Sequence, residues 1–185
     1  KFLQSEVNIP VVATMSAGKS SLINAILGKD LLPSGNQATT ATTCEIKINN
    51  DLKTFKGTIY KDCEPHESVE ENIESLICNW NAQGNDSQNI NIELEGPSSN
   101  IESNKNKILF IDSPGPNNSQ NTYHREATFN YLKDDIRLPI ILYVINYTQI
   151  GINDDKFTLE EICKVVQKNK ESLERILFIV NKIDE

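Results

Sequence analysis

The sequence predicts an α/β fold, namely a mostly parallel, doubly wound sheet with helices on both faces. Two observations support this prediction. Apolar runs of strand length alternate with helical patterns along the chain, and several of these runs are apolar almost throughout. Such strands are typical of parallel sheets, because helices cover both of their faces. The length of 185 residues suits one domain of this kind.

The predicted elements begin with a strand, a tight loop and a helix. The strand covers 9–14, with Pro10 at its very start because proline cannot donate to a strand ladder, and the helix stops at Gly28. A long polar loop at 30–43 then leads to a strand at 44–48. Further strands are predicted at 89–96, 107–112, 139–148 and 175–180, and further helices at 66–80, 122–136 and 153–170.

The charge of the chain limits its partners. With 26 acidic and 18 basic residues, the formal net charge is −8, which repels nucleic acids and anionic lipids. We therefore expect no nucleic-acid partner, and we expect any membrane contact to come from a local patch or from regions absent from this sequence. The four cysteines show no CxxC spacing and are typical of reduced thiols in a cytoplasmic protein.

Residues 13–28, ATMSAGKSSLINAILG, match the phosphate-binding loop GxxxxGK[ST] except that Ala13 replaces the first glycine. Ala13 ends a predicted strand, where a methyl group fits if φ is negative. In such a loop Lys19 reaches the β and γ phosphates, and Ser20 offers its hydroxyl to magnesium. Backbone amides for the phosphates would come from Ser16, Ala17, Gly18, Lys19, Ser20 and Ser21.

A second motif, ILFIDSPGP, places Asp112 at the end of an apolar strand. Ligands bind at this edge of open parallel sheets. The Asp112 carboxylate is suited to hold magnesium through water, and the N–H of Gly115 is suited to approach a γ phosphate.

A third motif, FIVNKID, ends a later strand with three polar side chains. Asp184 can accept hydrogen bonds from the N1–H and 2-amino groups of guanine, a donor pair that adenine lacks. Lys182 can lie along the base, and Asn181 can tie this segment to the phosphate-binding loop. The three motifs in this order favour a guanine nucleotide over an adenine nucleotide.

With these residues in place, the chain resembles the dynamin superfamily, and most of all the bacterial dynamin-like large GTPases. The similar segments read MSAGKSSLINAILGKDLLPSGNQATTA, IDSPGPNNS, YVINYTQIGIND and VNKID, and the resemblance runs from about residue 10 to the end. It implies a P-loop NTPase fold and a GTPase domain over 1–185 that is incomplete at its C-terminus. It also implies an insert at about 49–106, between the second and third core strands.

The resemblance also implies roles for single residues. Ser16 resembles the family's loop serine, which approaches the β–γ bridging oxygen and helps to hold a monovalent cation, K⁺ or Na⁺. Thr40 is the expected switch threonine, which binds magnesium and positions the attacking water, and Thr39 is the alternative. Gly115 would hold the γ phosphate. The implied catalytic residues are Ser16, Lys19, Thr40 and Gly115, and the implied Mg²⁺ ligands are Ser20, Thr40 and Asp112.

Two features bear on the rate of hydrolysis. Met15 stands where many dynamins carry a glutamine that orders the catalytic water, and a thioether cannot do this. The three arginines of the chain lie outside both the 13–28 segment and the 30–43 loop. We therefore expect a cation near Ser16 or a partner chain to supply the missing positive charge.

The resemblance finally implies partners and a location. These are GTP and GDP, a second copy bound through the GTPase face, and membranes contacted by regions absent here during membrane remodelling. The location implied is the cytoplasm, with peripheral attachment at the inner membrane face. Two alternatives stay open, an Era-like GTPase in RNA or ribosome work, and a GTP-binding scaffold with negligible hydrolysis, which Met15 favours.

Overall fold

The computed structural model describes residues 6–14, 16–34, 42–70, 73–83, 90–102, 107–114, 139–151, 153–166 and 174–183. The strands are β1 (Glu6–Ala13), β2 (Thr43–Ile48), β3 (Lys56–Lys61), β4 (Glu64–Val69), β5 (Ile90–Gly96), β6 (Lys107–Asp112), β7 (Ile141–Asn146) and β8 (Ile176–Asn181). The helices are α1 (Lys19–Leu27), α2 (Ile73–Gln83), a short 3₁₀ helix (Tyr147–Gln149) and α3 (Asn153–Val166). None of these helices is long and apolar enough to cross a bilayer.

The described strands form one sheet in the order β4-β3-β5-β2-β6-β1-β7-β8. Strands β6, β1, β7 and β8 run parallel to one another, and β2 runs parallel to β5. Strand β2 is antiparallel to β6, and β3 is antiparallel to both β4 and β5. The prediction of a mostly parallel α/β sheet is confirmed for the half that carries the predicted nucleotide motifs.

Helices cover both faces of this sheet, as predicted. Alternate residues of β1 point to opposite faces, so that Val11 and Val12 belong to different apolar clusters. The larger cluster includes Ile23 of α1 and Trp80 of α2, and the smaller one includes Ile162 of α3. Helices α1 and α2 therefore lie on one face and α3 on the other.

The prediction that Pro10 begins the first strand is wrong. Strand β1 begins at Glu6, and Pro10 is buried within it. The carbonyl of Asn8 accepts a hydrogen bond from the N–H of Ile140 at 2.9 Å, just before β7 begins. Backbone groups two residues apart in a strand face the same neighbour, so the nitrogen of Pro10 also faces the entry of β7. The missing N–H therefore falls at the start of one ladder and leaves the pairing with β6 intact.

The predicted helix at 66–80 is wrong in its first part. Residues 64–69 form β4, which pairs with the unpredicted strand β3, and helix α2 begins only at Ile73. The turn between β3 and β4 holds Asp62 and Cys63 at φ values of 50° and 67°. Positive φ at both central residues is the geometry of a two-residue hairpin turn, which glycine and asparagine usually mark. The predicted helix at 122–136 lies outside the described residues.

The C-terminus of α1 is held by the loop that follows β5. Gly28 ends the helix at φ 71°, as predicted for a C-terminal glycine. The Ser98 hydroxyl donates to the carbonyl of Leu27 at 3.1 Å, and the Asn100 amide donates to the carbonyl of Ala25 at 3.0 Å. These side chains satisfy carbonyls that a helix end leaves without intrahelical partners. The part of the chain predicted as an insert thus fixes the far end of the helix that opens with Lys19.

We expect Gly28→Ala to lower the free energy of unfolding by at least about 2 kcal/mol. A methyl group at Gly28 would meet the backbone strain of positive φ and would also collide with the Ser99 hydroxyl. Gly151→Ala is the matched control, because Gly151 has φ 87° but nothing within 4 Å of the added methyl group. Urea denaturation of both variants measures the difference, and equal losses would contradict the described packing around Gly28.

Candidate nucleotide-binding site

The predicted motifs meet at one edge of the sheet. Strands β1, β6, β7 and β8 are parallel, so their carboxyl ends lie on the same side. Ala13 ends β1, Asp112 ends β6 and Asn181 ends β8. Ala13 is buried, and its φ is not positive, so the methyl group that replaces the motif's first glycine is accommodated. This is the edge at which open α/β sheets bind ligands.

The loop between β1 and α1 depends on left-handed backbone conformations. Ser16 has φ 58°, and Gly18 has φ 89° and caps the N-terminus of α1. A side chain at Gly18 would be strained and would also collide with the Asn181 amide. The N-terminal amides of the helix following this loop carry a partial positive charge, which suits them to an anion.

Asn181 connects the end of β8 to this loop. Its Nδ2 donates to the carbonyl of Ala17 at 3.0 Å. The following residue, Lys182, has φ 60°, so the chain turns away from the strand immediately after the contact. The predicted tie between the third motif and the phosphate-binding loop is therefore present in the structure.

A serine, an aspartate and a lysine are buried where α1 begins. The Ser20 hydroxyl donates to Oδ2 of Asp112 at 2.9 Å, and the two residues are 6% and 1% exposed. Lys19 is 8% exposed. Burial lowers the pKa of the Lys19 ammonium below its ordinary value, and the negative charge of Asp112 acts in the opposite direction. The phosphates of a nucleotide would supply the negative charge that favours this buried ammonium.

The Ser20 and Asp112 oxygens fit a magnesium ion. Hydroxyl and carboxylate oxygens are hard ligands, and Mg²⁺ is usually held by one or two protein oxygens together with phosphates and waters. Among the described residues there is no group of three or more His, Cys, Asp or Glu side chains that could hold a metal alone.

The structure gives less information about the other predicted site residues. Ser21 follows Ser20 in the first turn of α1, and its side chain is exposed. Thr39, Thr40, Gly115, Asp184 and Met15 lie outside the described residues. Their assigned roles stay predictions.

Sequence reasoning did not single out two buried polar residues, one beside Asp112 and one within α1. Cys44 pairs in register with Asp112, and burial, followed by the charges of Asp112 and Glu45, raises the pKa of its thiol well above the ordinary value. Asn24 lies within α1 at 4% exposure and bonds to the segment that follows the helix. The sequence feature that could have identified Asn24 is that it is the one polar residue within the apolar run LINAIL.

With this geometry described, comparison with known proteins gives a consistent result. A family model described as the dynamin family matches residues 9–183, which is nearly the whole chain. The chain belongs to the dynamin family. This membership confirms the P-loop NTPase fold and decides against the Era-like alternative.

Curated bacterial relatives of this dynamin-family chain share its sequence at moderate identity. It is 29% identical over 186 residues to dynamin-like protein 2 of Campylobacter jejuni, covering 97% of this chain and 29% of that protein. It is 26% identical over 199 residues to dynamin-like protein A of Bacillus subtilis, covering 100% of this chain and 14% of that protein. The chain thus spans less than a third of the length of either relative.

A solved structure supports the fold. A chain from an oligomerised bacterial dynamin pair, described as providing a mechanism for the long-range sensing and tethering of membranes, superimposes with a TM-score of 0.65 at 19% identity. The match covers 97% of the present chain and 34% of that chain. The present chain accordingly has the fold of that structure and corresponds to about a third of its chain.

Proposed function

We propose that this dynamin-family domain binds GTP with Mg²⁺ and hydrolyses it to GDP and phosphate. The observation that carries the proposal is the 2.9 Å hydrogen bond between Ser20 and Asp112 beside the buried Lys19, at the start of α1. A hydroxyl, a carboxylate and an ammonium at a helix N-terminus match the parts that hold a nucleotide triphosphate and magnesium in P-loop enzymes.

In this proposal, a water oxygen attacks the γ phosphorus, and the bond from that phosphorus to the β–γ bridging oxygen breaks. The attacking oxygen keeps one of its two protons and becomes a hydroxyl of the released phosphate, and the other proton goes to a second oxygen of that phosphate. Lys19 and the loop amides stabilise the negative charge on the phosphates, and Ser20, Asp112 and Thr40 would hold Mg²⁺. When bound, Mg²⁺ neutralises charge on the β and γ oxygens. Gly115 would donate its N–H to the γ phosphate.

We further propose that the third motif selects guanine. Asn181 would hold the base-binding segment against the phosphate-binding loop through its contact with Ala17. Lys182 would lie along the base, and Asp184 would accept hydrogen bonds from the guanine N1–H and 2-amino groups. A monovalent cation near Ser16, K⁺ or Na⁺, would supply the positive charge that an arginine supplies in other GTPases.

The wider role proposed is that of a nucleotide-dependent switch for dimerisation or membrane-associated assembly. Two copies would associate through the GTPase face, and hydrolysis would be slow without such a partner. Support comes from family membership and from the described membrane tethering by an oligomerised bacterial dynamin pair. We also propose a cytoplasmic location, with peripheral attachment at the inner membrane face.

Single-turnover GTP hydrolysis, measured at low and high protein concentration, tests this function. We expect a rate that rises with concentration and that is higher in K⁺ or Na⁺ than in Li⁺ buffer. Equal rates in the three salts would contradict the cation assignment alone. Tight GTP binding without turnover at any concentration would support the scaffold alternative, and the absence of nucleotide binding would contradict the proposal as a whole.

A further inference from the structure

A buried asparagine at the end of β7 has one half of its side-chain amide unused. Asn146 is 2% exposed. Its Oδ1 accepts from the N–H of Thr148 at 3.1 Å and from the Thr148 hydroxyl at 2.8 Å. Because a backbone N–H only donates, the first contact fixes which end of the amide is the oxygen. Among the residues that the structure describes, none accepts a hydrogen bond from Nδ2 of Asn146. This amide therefore has donors left for a ligand.

The register of the sheet places this side chain on the face that carries α1. Asn146 pairs with Asn181 across the parallel strands β7 and β8, so the two side chains lie on the same face. Val144, two residues earlier in β7, belongs to the larger apolar cluster, which includes Ile23 of α1. The side chain of Asn146 therefore lies on the side of the sheet where the phosphate-binding loop leads into α1.

The phosphate-binding loop crosses the end of β7 on this face. It leaves the sheet after Ala13 of β1, yet the carbonyl of Ala17 accepts a hydrogen bond from the Asn181 amide of β8. Strand β7 lies between these two strands, which are about 10 Å apart. Ala17 also belongs to the same apolar cluster as Val144. The unused donor of Asn146 therefore lies between the end of β1 and the end of β8, beside the loop.

We propose that Asn146 is a further binding residue of the nucleotide site, and that its Nδ2 donates to an acceptor atom of the bound guanine nucleotide. Phosphate, ribose and guanine all carry such acceptors. A buried donor without a partner is costly, so an acceptor that arrives with the nucleotide adds to the binding energy. The inference rests on the proposed function and deepens it, because Asn146 belongs to none of the three sequence motifs.

Asn146→Ser removes the donor and keeps the contact with Thr148, because a serine hydroxyl also accepts from the N–H two residues later. In titration calorimetry with Mg²⁺, we expect this variant to bind GDP and GTP about tenfold more weakly than the natural chain. Asn146→Asp places a negative charge against the acceptor, so its affinities should fall further. Thr148→Val is the matched control, since it removes the hydroxyl bond to Oδ1 but leaves Nδ2 in place. It should bind both nucleotides within about twofold of the natural chain.

Nuclear magnetic resonance of the natural chain tests the contact directly. The Nδ2 protons of Asn146 are identified as the asparagine side-chain signals that disappear in the serine variant. We expect these signals to move to lower field when GDP binds. Guanosine and pyrophosphate, added separately, then locate the acceptor. A shift with guanosine assigns it to the base or ribose, and a shift with pyrophosphate assigns it to a phosphate.

Thermal unfolding shows whether each variant is folded. Unchanged GDP affinity in folded Asn146→Ser would overturn the inference. An unshifted Nδ2 signal at saturating GDP would overturn it as well, even with weaker binding in the variant, because Asn146 would then only support the fold. Both results would leave the proposed function intact. If the natural chain binds no guanine nucleotide, the proposed function fails, and this inference with it.

Discussion

Replacing Lys19 with alanine is expected to lower the affinity of the chain for GTP by at least about 100-fold, which corresponds to roughly 3 kcal/mol. Lys19 is 8% exposed at the start of α1, where its ammonium is removed from water. The phosphates of GTP would pair with this charge in a site of low polarity, so the lost interaction is stronger than a surface ion pair. Titration calorimetry with GTP in the presence of Mg²⁺ measures the change.

Lys29→Ala provides the comparison on the same helix. Lys29 follows α1 at its other end and pairs with Glu74 at 2.8 Å, and both side chains are more than 40% exposed. We expect this variant to bind GTP within about twofold of the natural chain, because an exposed pair far from the loop contributes little. A Lys19→Ala variant that folds normally and binds GTP like Lys29→Ala would contradict the assignment of Lys19.

Removing either proposed magnesium ligand is expected to abolish the benefit of Mg²⁺ for GTP binding. In Ser20→Ala and in Asp112→Asn, we expect GTP affinity with Mg²⁺ to fall by about 10- to 100-fold. With a chelator present, the variants and the natural chain should bind GTP with similar affinity, because none of them then holds the metal. Titrations in Mg²⁺ and in EDTA give both values for each protein.

The double variant distinguishes a shared metal site from two separate effects. Residues that act on one ion are not additive, so Ser20→Ala with Asp112→Asn should lose little more Mg²⁺-dependent affinity than either single variant. Additive losses would contradict a shared ion. Equal losses in Mg²⁺ and in EDTA would show that the 2.9 Å contact between these residues stabilises the fold rather than the ion.

Local signals explain why the phosphate-binding segment could be predicted from sequence. A strand, a loop with Gly18 and a helix ending at Gly28 form one contiguous stretch, and each glycine is in the left-handed conformation that its position requires. The meeting of Asp112 and Asn181 with this loop followed from the rule that parallel strands end at a common edge. These predictions needed only local patterns and that one topological rule.

The β3–β4 hairpin could not be predicted for physical reasons. Strand β4 is an edge strand with almost every side chain exposed, so it shows no alternation of apolar and polar residues. Its last residue, Val69, falls at helical spacing from Ile73, which made the strand look like the first turn of α2. Asp62 and Cys63 take the positive φ values in the turn, so no glycine marks this turn in the sequence.

Contacts between distant parts of the chain could not be predicted from the sequence either. The Ser98 hydroxyl reaches the carbonyl of Leu27, although 71 residues separate them. Asn24 interrupts an apolar helical pattern, but its partners are backbone groups, which carry no sequence signature. Hydrogen bonds of this kind depend on how the chain packs in three dimensions. Helix and strand propensities and hydrophobic periodicity therefore do not predict them.

The central claim is that this edge of the sheet binds a guanine nucleotide. Titration of the chain with GTP and with ATP, in the same Mg²⁺ buffer, tests it most directly. We expect GTP to bind at least about 100-fold more tightly, because a site built to hydrogen-bond the guanine edge leaves its acceptors unpaired when adenine enters. Equal affinities for GTP and ATP, or binding of neither, would contradict the account.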